Sequence, residues 1–99
     1  MPNRYAKGRR AEWRARDELE VLGFTVIRSS GSRGPFDLVA FDALGFKLIQ
    51  VKTSYRTSAR RQYWPQEFKT LRAIPAPSNA VKMLWIWTDR FGWEKHVVE

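Results

Sequence analysis

Two short apolar runs, Phe36 to Phe41 and Phe46 to Thr53, are separated only by a brief connection around Ala43, Leu44 and Gly45. Runs this rich in aromatic and β-branched residues, and this close together, form an antiparallel hairpin around which the rest of a small chain has to be arranged. Polar groups enter the hairpin sparingly. Asp37 is the only polar side chain between Phe36 and Phe41, and by strand alternation it shares a face with Val39 and Phe41. On the following strand Phe46, Leu48, Gln50 and Lys52 share one face, so an amide and an ammonium close an otherwise apolar run. With the connection near residue 44, Asp37 lies across from residues 50 to 52, and pairing with 50 or 52 turns all three polar side chains to one face.

The flanking segments supply the layers that bury this hairpin. Asn3 to Leu22 contains no proline and stops at Gly23, which predicts one long helix. Tyr5, Gly8, Glu12, Ala15, Leu19 and Leu22 recur at spacings of three and four and define its inward stripe, so Glu12 points where apolar residues point. Phe24 to Ser29 reads as a strand, and Ser30 to Pro35 as a Gly/Ser loop. Tyr55 to Tyr63 is polar and turn-like, Pro65 to Ile74 a second helix, and Val81 to Thr88 with Trp93 to Val98 a final hairpin. Helix, three strands, helix and two strands give an α/β fold with a central mixed sheet flanked by helices, within one domain spanning residues 1–99.

Charge narrows the partner. Eighteen Lys and Arg against ten Asp and Glu leave a net charge of +8, which favours a polyanion. Six of those bases lie between Arg4 and Arg16, opposed there only by Glu12. No acid occurs between Asp42 and Glu67, whereas Lys47, Lys52, Arg56, Arg60 and Arg61 do. A solvated cationic surface would show the same balance. The absence of cysteine excludes thiolate metal sites, disulfide frameworks and thiol chemistry. No apolar run approaches the length of a membrane span or a signal peptide, so the expectation is a soluble protein of the cytoplasm.

Polar groups at the ends of adjacent apolar strands, with a carboxylate on the inward stripe of a helix, are costly to desolvate unless they share a ligand or neutralise one another. A cation held by oxygens of Glu12, Asp37 and Gln50, with Lys52 as charged neighbour, is one solution, and those hard donors suit Mg²⁺. Such a site would cleave phosphodiesters. The other solution is structural: Asp37 paired with Lys52 and Glu12 with Arg28 in a protein that only binds nucleic acid.

Pro35, Phe36 and Asp37, then twelve residues, then Gln50, Val51 and Lys52 resemble the PD-(D/E)xK nuclease motif with one residue interposed. The wider order is more specific: Lys7 and Gly8 before Glu12, Gly23 and Phe24 closing the helix, Val26 to Arg28, a Ser/Gly loop, then Asp37 to Ala40. Over about residues 4 to 53 it resembles Holliday junction resolvases of the archaeal type and their phage relatives. That resemblance implies a restriction-endonuclease-like fold and a homodimer that resolves four-way DNA junctions with Mg²⁺, or Mn²⁺ in its place, in DNA recombination and repair. It implies Glu12, Asp37, Gln50 and the Val51 carbonyl as metal ligands and Lys52 as the lysine that positions or activates water. Ser30 corresponds to a loop serine that approaches the DNA backbone, with Ser32 as its near neighbour. Gln50 departs from the family pattern, standing where an acid is usual.

Lys7, Arg9, Arg10, Arg28, Ser32, Arg33, Arg56, Arg60 and Arg61 are the expected DNA contacts. Arg14 and Arg16 are shared between a phosphate track and a solvated helix face, and Lys69 and Arg72 are a fainter version of the same idea. Trp13 and Trp64, beside basic residues, are candidates to face DNA. Trp85 and Trp87 share one face of a strand whose other face carries Leu84 and Ile86, which predicts burial on both sides, the second by another subunit. Two alternatives stay open: another nuclease of this superfamily, such as a nickase or restriction-like enzyme, and a catalytically silent nucleic-acid-binding homologue.

Overall fold

A computed structural model describes residues 4–29, 34–54 and 64–99, with Arg4 and Tyr5 described by their backbone alone. The elements are α1 (Arg4–Val21), β1 (Thr25–Arg28), β2 (Leu38–Asp42), β3 (Gly45–Ser54), α2 (Pro65–Arg72), β4 (Ala80–Thr88) and β5 (Gly92–Val98). Neither helix is long and apolar enough to cross a membrane.

α1 ends where its sequence says it must. The Gly23 N–H donates to the Glu20 carbonyl (3.0 Å) and the Phe24 N–H to the Leu19 carbonyl (3.1 Å), a Schellman closure with Gly23 left-handed at φ 99°. The chain reverses there into β1. In the β2–β3 hairpin, Asp42 pairs with Gly45 across a two-residue turn, and the Asp42 carboxylate accepts from the Leu44 N–H (2.9 Å) and the Gly45 N–H (3.3 Å). Gly45 is required by the close approach of the chain entering β4. A Cβ at this position would collide with the Asn79 carbonyl oxygen, which accepts the Phe46 N–H (2.9 Å) where β4 is about to join β3.

The strands lie in sequence order, β1-β2-β3-β4-β5, with β3 and β4 parallel and the other neighbours antiparallel. Connecting two parallel strands requires a crossover, and α2 lies in the one between β3 and β4. α1 covers one face through Ala11, Ala15 and Leu19, packed on Leu38, Ala40, Ile49, Val51, Met83 and Trp85. α2 covers part of the other through Leu71, which packs with Leu84, Ile86 and Val98.

Three expectations need correction. The inward stripe of α1 is Lys7, Ala11, Ala15 and Leu19, and Leu22 is exposed because it belongs to the closing turn rather than to the helix. Both faces of β4 are covered within the chain, one by α1 and the other by α2, so its apolar faces do not call for a second subunit. Trp64 packs against the core beneath α2 instead of facing outward.

Candidate active site

Asp37 sits one residue before β2, at the point where β2 and β3 part. Continuing the Leu38–Ile49 pairing by one step sets it level with Gln50, the first of the two registers compatible with the sequence. Its backbone is still tied to both neighbours: the Asp37 N–H donates to the Ile49 carbonyl (2.8 Å) and its carbonyl accepts from the Ser29 N–H (2.8 Å). Its carboxylate replaces the departing strand. Oδ2 accepts the Val51 N–H at 2.8 Å, so a group that would otherwise lose its ladder partner fixes the acid instead. Because the N–H and C=O of one strand residue point to the same side, the Val51 carbonyl is directed past the end of β2 as well.

Glu12 comes to this edge from α1, and Arg28 from the last position of β1. Arg28 Nε donates to Glu12 Oε1 at 2.9 Å, and both side chains are largely shielded from solvent. Burial raises the Glu12 pKa, the Asp37 charge raises it further, and Arg28 opposes both. Burial also raises the Asp37 pKa, against the Val51 N–H and the positive charges of Lys52 and Arg28. The two carboxylates therefore sense each other in a partly desolvated pocket edge that favours protonation or a cation.

Gln50 makes the same point without charge. Its Oε1 is buried and receives no hydrogen bond among the described residues, and an orphaned amide oxygen is destabilising unless something occupies its lone pairs. The Glu12 and Asp37 carboxylates, this amide oxygen and the Val51 carbonyl are hard-oxygen donors of the kind that could hold Mg²⁺. No group of three His, Cys, Asp or Glu that could hold a metal ion is gathered among the described residues. Of the two structural ion pairs considered, Glu12–Arg28 is present, and Asp37 makes its short contact with the Val51 N–H.

The basic residues separate into engaged and exposed groups. Lys7 is buried and pairs with Asp89 (3.2 Å). The Arg14 guanidinium lies 4.2 Å from the centre of the Trp87 ring, and Arg16 pairs with Asp17 (3.0 Å), so both serve the helix surface. Arg10 is exposed. Trp13 is 41% exposed with Arg9 and Arg28 beside its ring, at 5.3 and 6.0 Å, a cationic-aromatic group adjoining Glu12. Ser30, Ser32, Arg33, Arg56, Arg60 and Arg61 lie outside the described residues. The Glu12–Arg28 pair considered from the sequence is present; what the sequence did not show is that Arg28, on the same strand face as Val26, also acts on the Asp37 charge.

No family model and no curated protein matches the chain. Among solved structures it is similar to Hjc, a Holliday junction resolvase of the archaeal hyperthermophile Archaeoglobus fulgidus, with 27% identity and a TM-score of 0.70 over 93% of this chain and 73% of that one. The chain shares the fold of that protein. Its mixed sheet between two helices is the restriction-endonuclease-like architecture expected from the sequence, and the likeness extends through the C-terminal half, where sequence motifs were no guide.

Proposed function

We propose that the protein is a structure-selective endodeoxyribonuclease that resolves four-way DNA junctions by Mg²⁺-dependent phosphodiester hydrolysis, acting as a homodimer. The observation that carries this reading is that Glu12 and Asp37 are close enough to raise the Glu12 pKa, with the Lys52 charge acting on Asp37 and the unpaired Gln50 amide oxygen one strand across, in a chain whose fold is similar to that of a resolvase. Glu12, Asp37, Gln50 and the Val51 carbonyl would hold the ion, with Mn²⁺ an acceptable substitute. When bound, a divalent ion supplies charge stabilisation at the scissile phosphate and lowers the pKa of water.

The chain's own groups do the rest. Asp37, clamped by the Val51 N–H, is a preorganised oxygen donor. Lys52, one residue further along β3, orients the attacking water and offsets charge developing on the phosphate. Arg28 holds the Glu12 carboxylate in place. Arg9, Arg10 and Arg28, together with Arg33, Arg56, Arg60, Arg61 and the serines Ser30 and Ser32, supply contacts to the DNA backbone, with Lys7 sharing its charge with Asp89. Junction shape and phosphate positions then set selectivity, and a twofold dimer matches the twofold symmetry of the junction.

A second reading, a silent DNA-binding homologue, is favoured by two observations: an amide where an acid would bind metal more strongly, and a Glu12 already neutralised by Arg28. Cleavage of a labelled four-way junction beside a linear duplex of the same sequence, with Mg²⁺ and with EDTA, separates them. Paired symmetric nicks in the junction alone, only with metal, support the resolvase. Binding without cutting, even with Mn²⁺, supports the silent homologue, while metal-dependent cutting of linear duplex supports another nuclease on this scaffold.

A further inference from the structure

The turn between β4 and β5 stands at the same end of the sheet as the candidate active site. β3 and β4 run parallel with Ser54 level with Thr88, so residues 89 to 91 lie beyond the ends toward which Gln50 and Lys52 lead. At ~3.3 Å per strand residue and ~4.8 Å between strands, the turn is on the order of 15 Å from Lys52. One turn of duplex DNA is about 34 Å long, so both can meet the same substrate arm.

The turn is tied down at its base and cationic at its tip. Asp89 accepts a hydrogen bond from Trp87 Nε1 (3.0 Å) and pairs with Lys7 (3.2 Å), and these donors hold its carboxyl below the ordinary range. The Phe91 N–H donates to the Thr88 carbonyl (3.0 Å). Between them Arg90 adopts φ 76°, and among the described residues it is the one non-glycine with a positive φ. Glycine would take this conformation without strain, and arginine lacks the short side chain by which asparagine or aspartate eases it. What arginine adds is charge. Arg90 is exposed and makes no hydrogen bond or ion pair with a described residue, and the neighbouring Phe91 ring is 59% exposed. Backbone strain retained to present an unused cation beside a bare aromatic ring is a feature to be explained by a ligand.

We propose that the β4–β5 turn is a second DNA-contact element, in which Arg90 takes a backbone phosphate and the Phe91 ring stacks on a base pair left open at a branch point. The inference rests on the nuclease reading above and adds to it the part that senses an interrupted base stack. Continuous duplex offers phosphates but no open base face. A branch point offers both, and aromatic stacking on a base is indifferent to sequence.

The test is equilibrium binding of a four-way junction and of a linear duplex in EDTA, over a range of salt, by the wild type, Arg90→Gly, Phe91→Ala and Phe91→Trp. Arg90→Gly is expected to weaken binding to both DNAs several-fold and to reduce the salt slope by about 1. Its thermal midpoint should not fall, because glycine relieves the turn. Phe91→Ala is expected to weaken junction binding about tenfold while sparing the duplex, with Phe91→Trp restoring it. Folded variants with wild-type affinity and salt slope, or equal losses on both DNAs for Phe91→Ala, would overturn the proposal. A wild type that binds junctions without cutting refutes the nuclease reading while these variants still decide the role of the turn; a wild type that binds no DNA refutes both.

Discussion

Gln50→Glu puts a third carboxylate where the structure already holds two under strain. With its Oε1 buried and Asp37 about one strand spacing away, roughly 5 Å, the new charge would repel Asp37 by about 3 kcal/mol at an effective dielectric of ~20. Asp37 and Gln50 are only partly buried, so screening reduces this to about 1–2 kcal/mol. For a chain of this size that corresponds to a fall in thermal midpoint of roughly 5–15 °C in EDTA at neutral pH and low salt. Divalent metal should reverse the order. The added charge attracts the ion, and a ligand at 100 times its Kd stabilises by about 2.7 kcal/mol. Melting curves of wild type and variant, in EDTA and across a Mg²⁺ or Mn²⁺ titration, would measure both effects. If the variant melts with the wild type in EDTA and gains no more from metal, Gln50 does not share a site with Asp37, and the donor set is wrong.

Asp37→Asn and Lys52→Ala should each abolish junction cleavage while leaving DNA binding nearly intact, read by cutting and by electrophoretic mobility; a mutant that still cuts shows the active site lies elsewhere. Glu12 has a pKa raised in the folded chain, so the native state retains a proton that the unfolded state gives up near 4.5. In EDTA, stability should therefore decline as pH rises from that value through the folded one. Glu12→Gln should flatten the decline without removing the share due to Asp37, and melts that fail to change with pH would contradict the assigned cause. Gly45→Ala forces a Cβ against the Asn79 carbonyl and should cost about 2–4 kcal/mol in urea unfolding, whereas a neutral outcome would mean the β2–β3 turn and β4 shift apart easily.

Elements were legible in the sequence because they depend on local patterns. Gly23 after a proline-free helical run, the brief connection between two apolar strands, and Pro65 at a helix start each act over a few residues, and the structure has all three. The α1 stripe was misread at both ends: Lys7 and Ala11 are buried where Gly8 and Glu12 were expected, and Leu22 fits the helical period in sequence although the Schellman closure takes it off the helix. The outward reading of Trp64 failed because basic neighbours in sequence do not show what an indole packs on, and its cover comes from α2 and β4.

By itself the sequence determined which residues form strands and helices, that the central hairpin carries an acid, an amide and an ammonium near one end, and that the whole is strongly basic. Tertiary structure decided that Glu12 meets Arg28 across sixteen residues of chain, that Asp37 clamps the Val51 N–H, that Lys7 is spent on Asp89, and that the β4–β5 turn shares an end with the site. The physical reason is range. Propensity and periodicity act between neighbours along the chain, whereas desolvation and charge coupling depend on distances set only after the helices have docked on the sheet and the strands have taken their register.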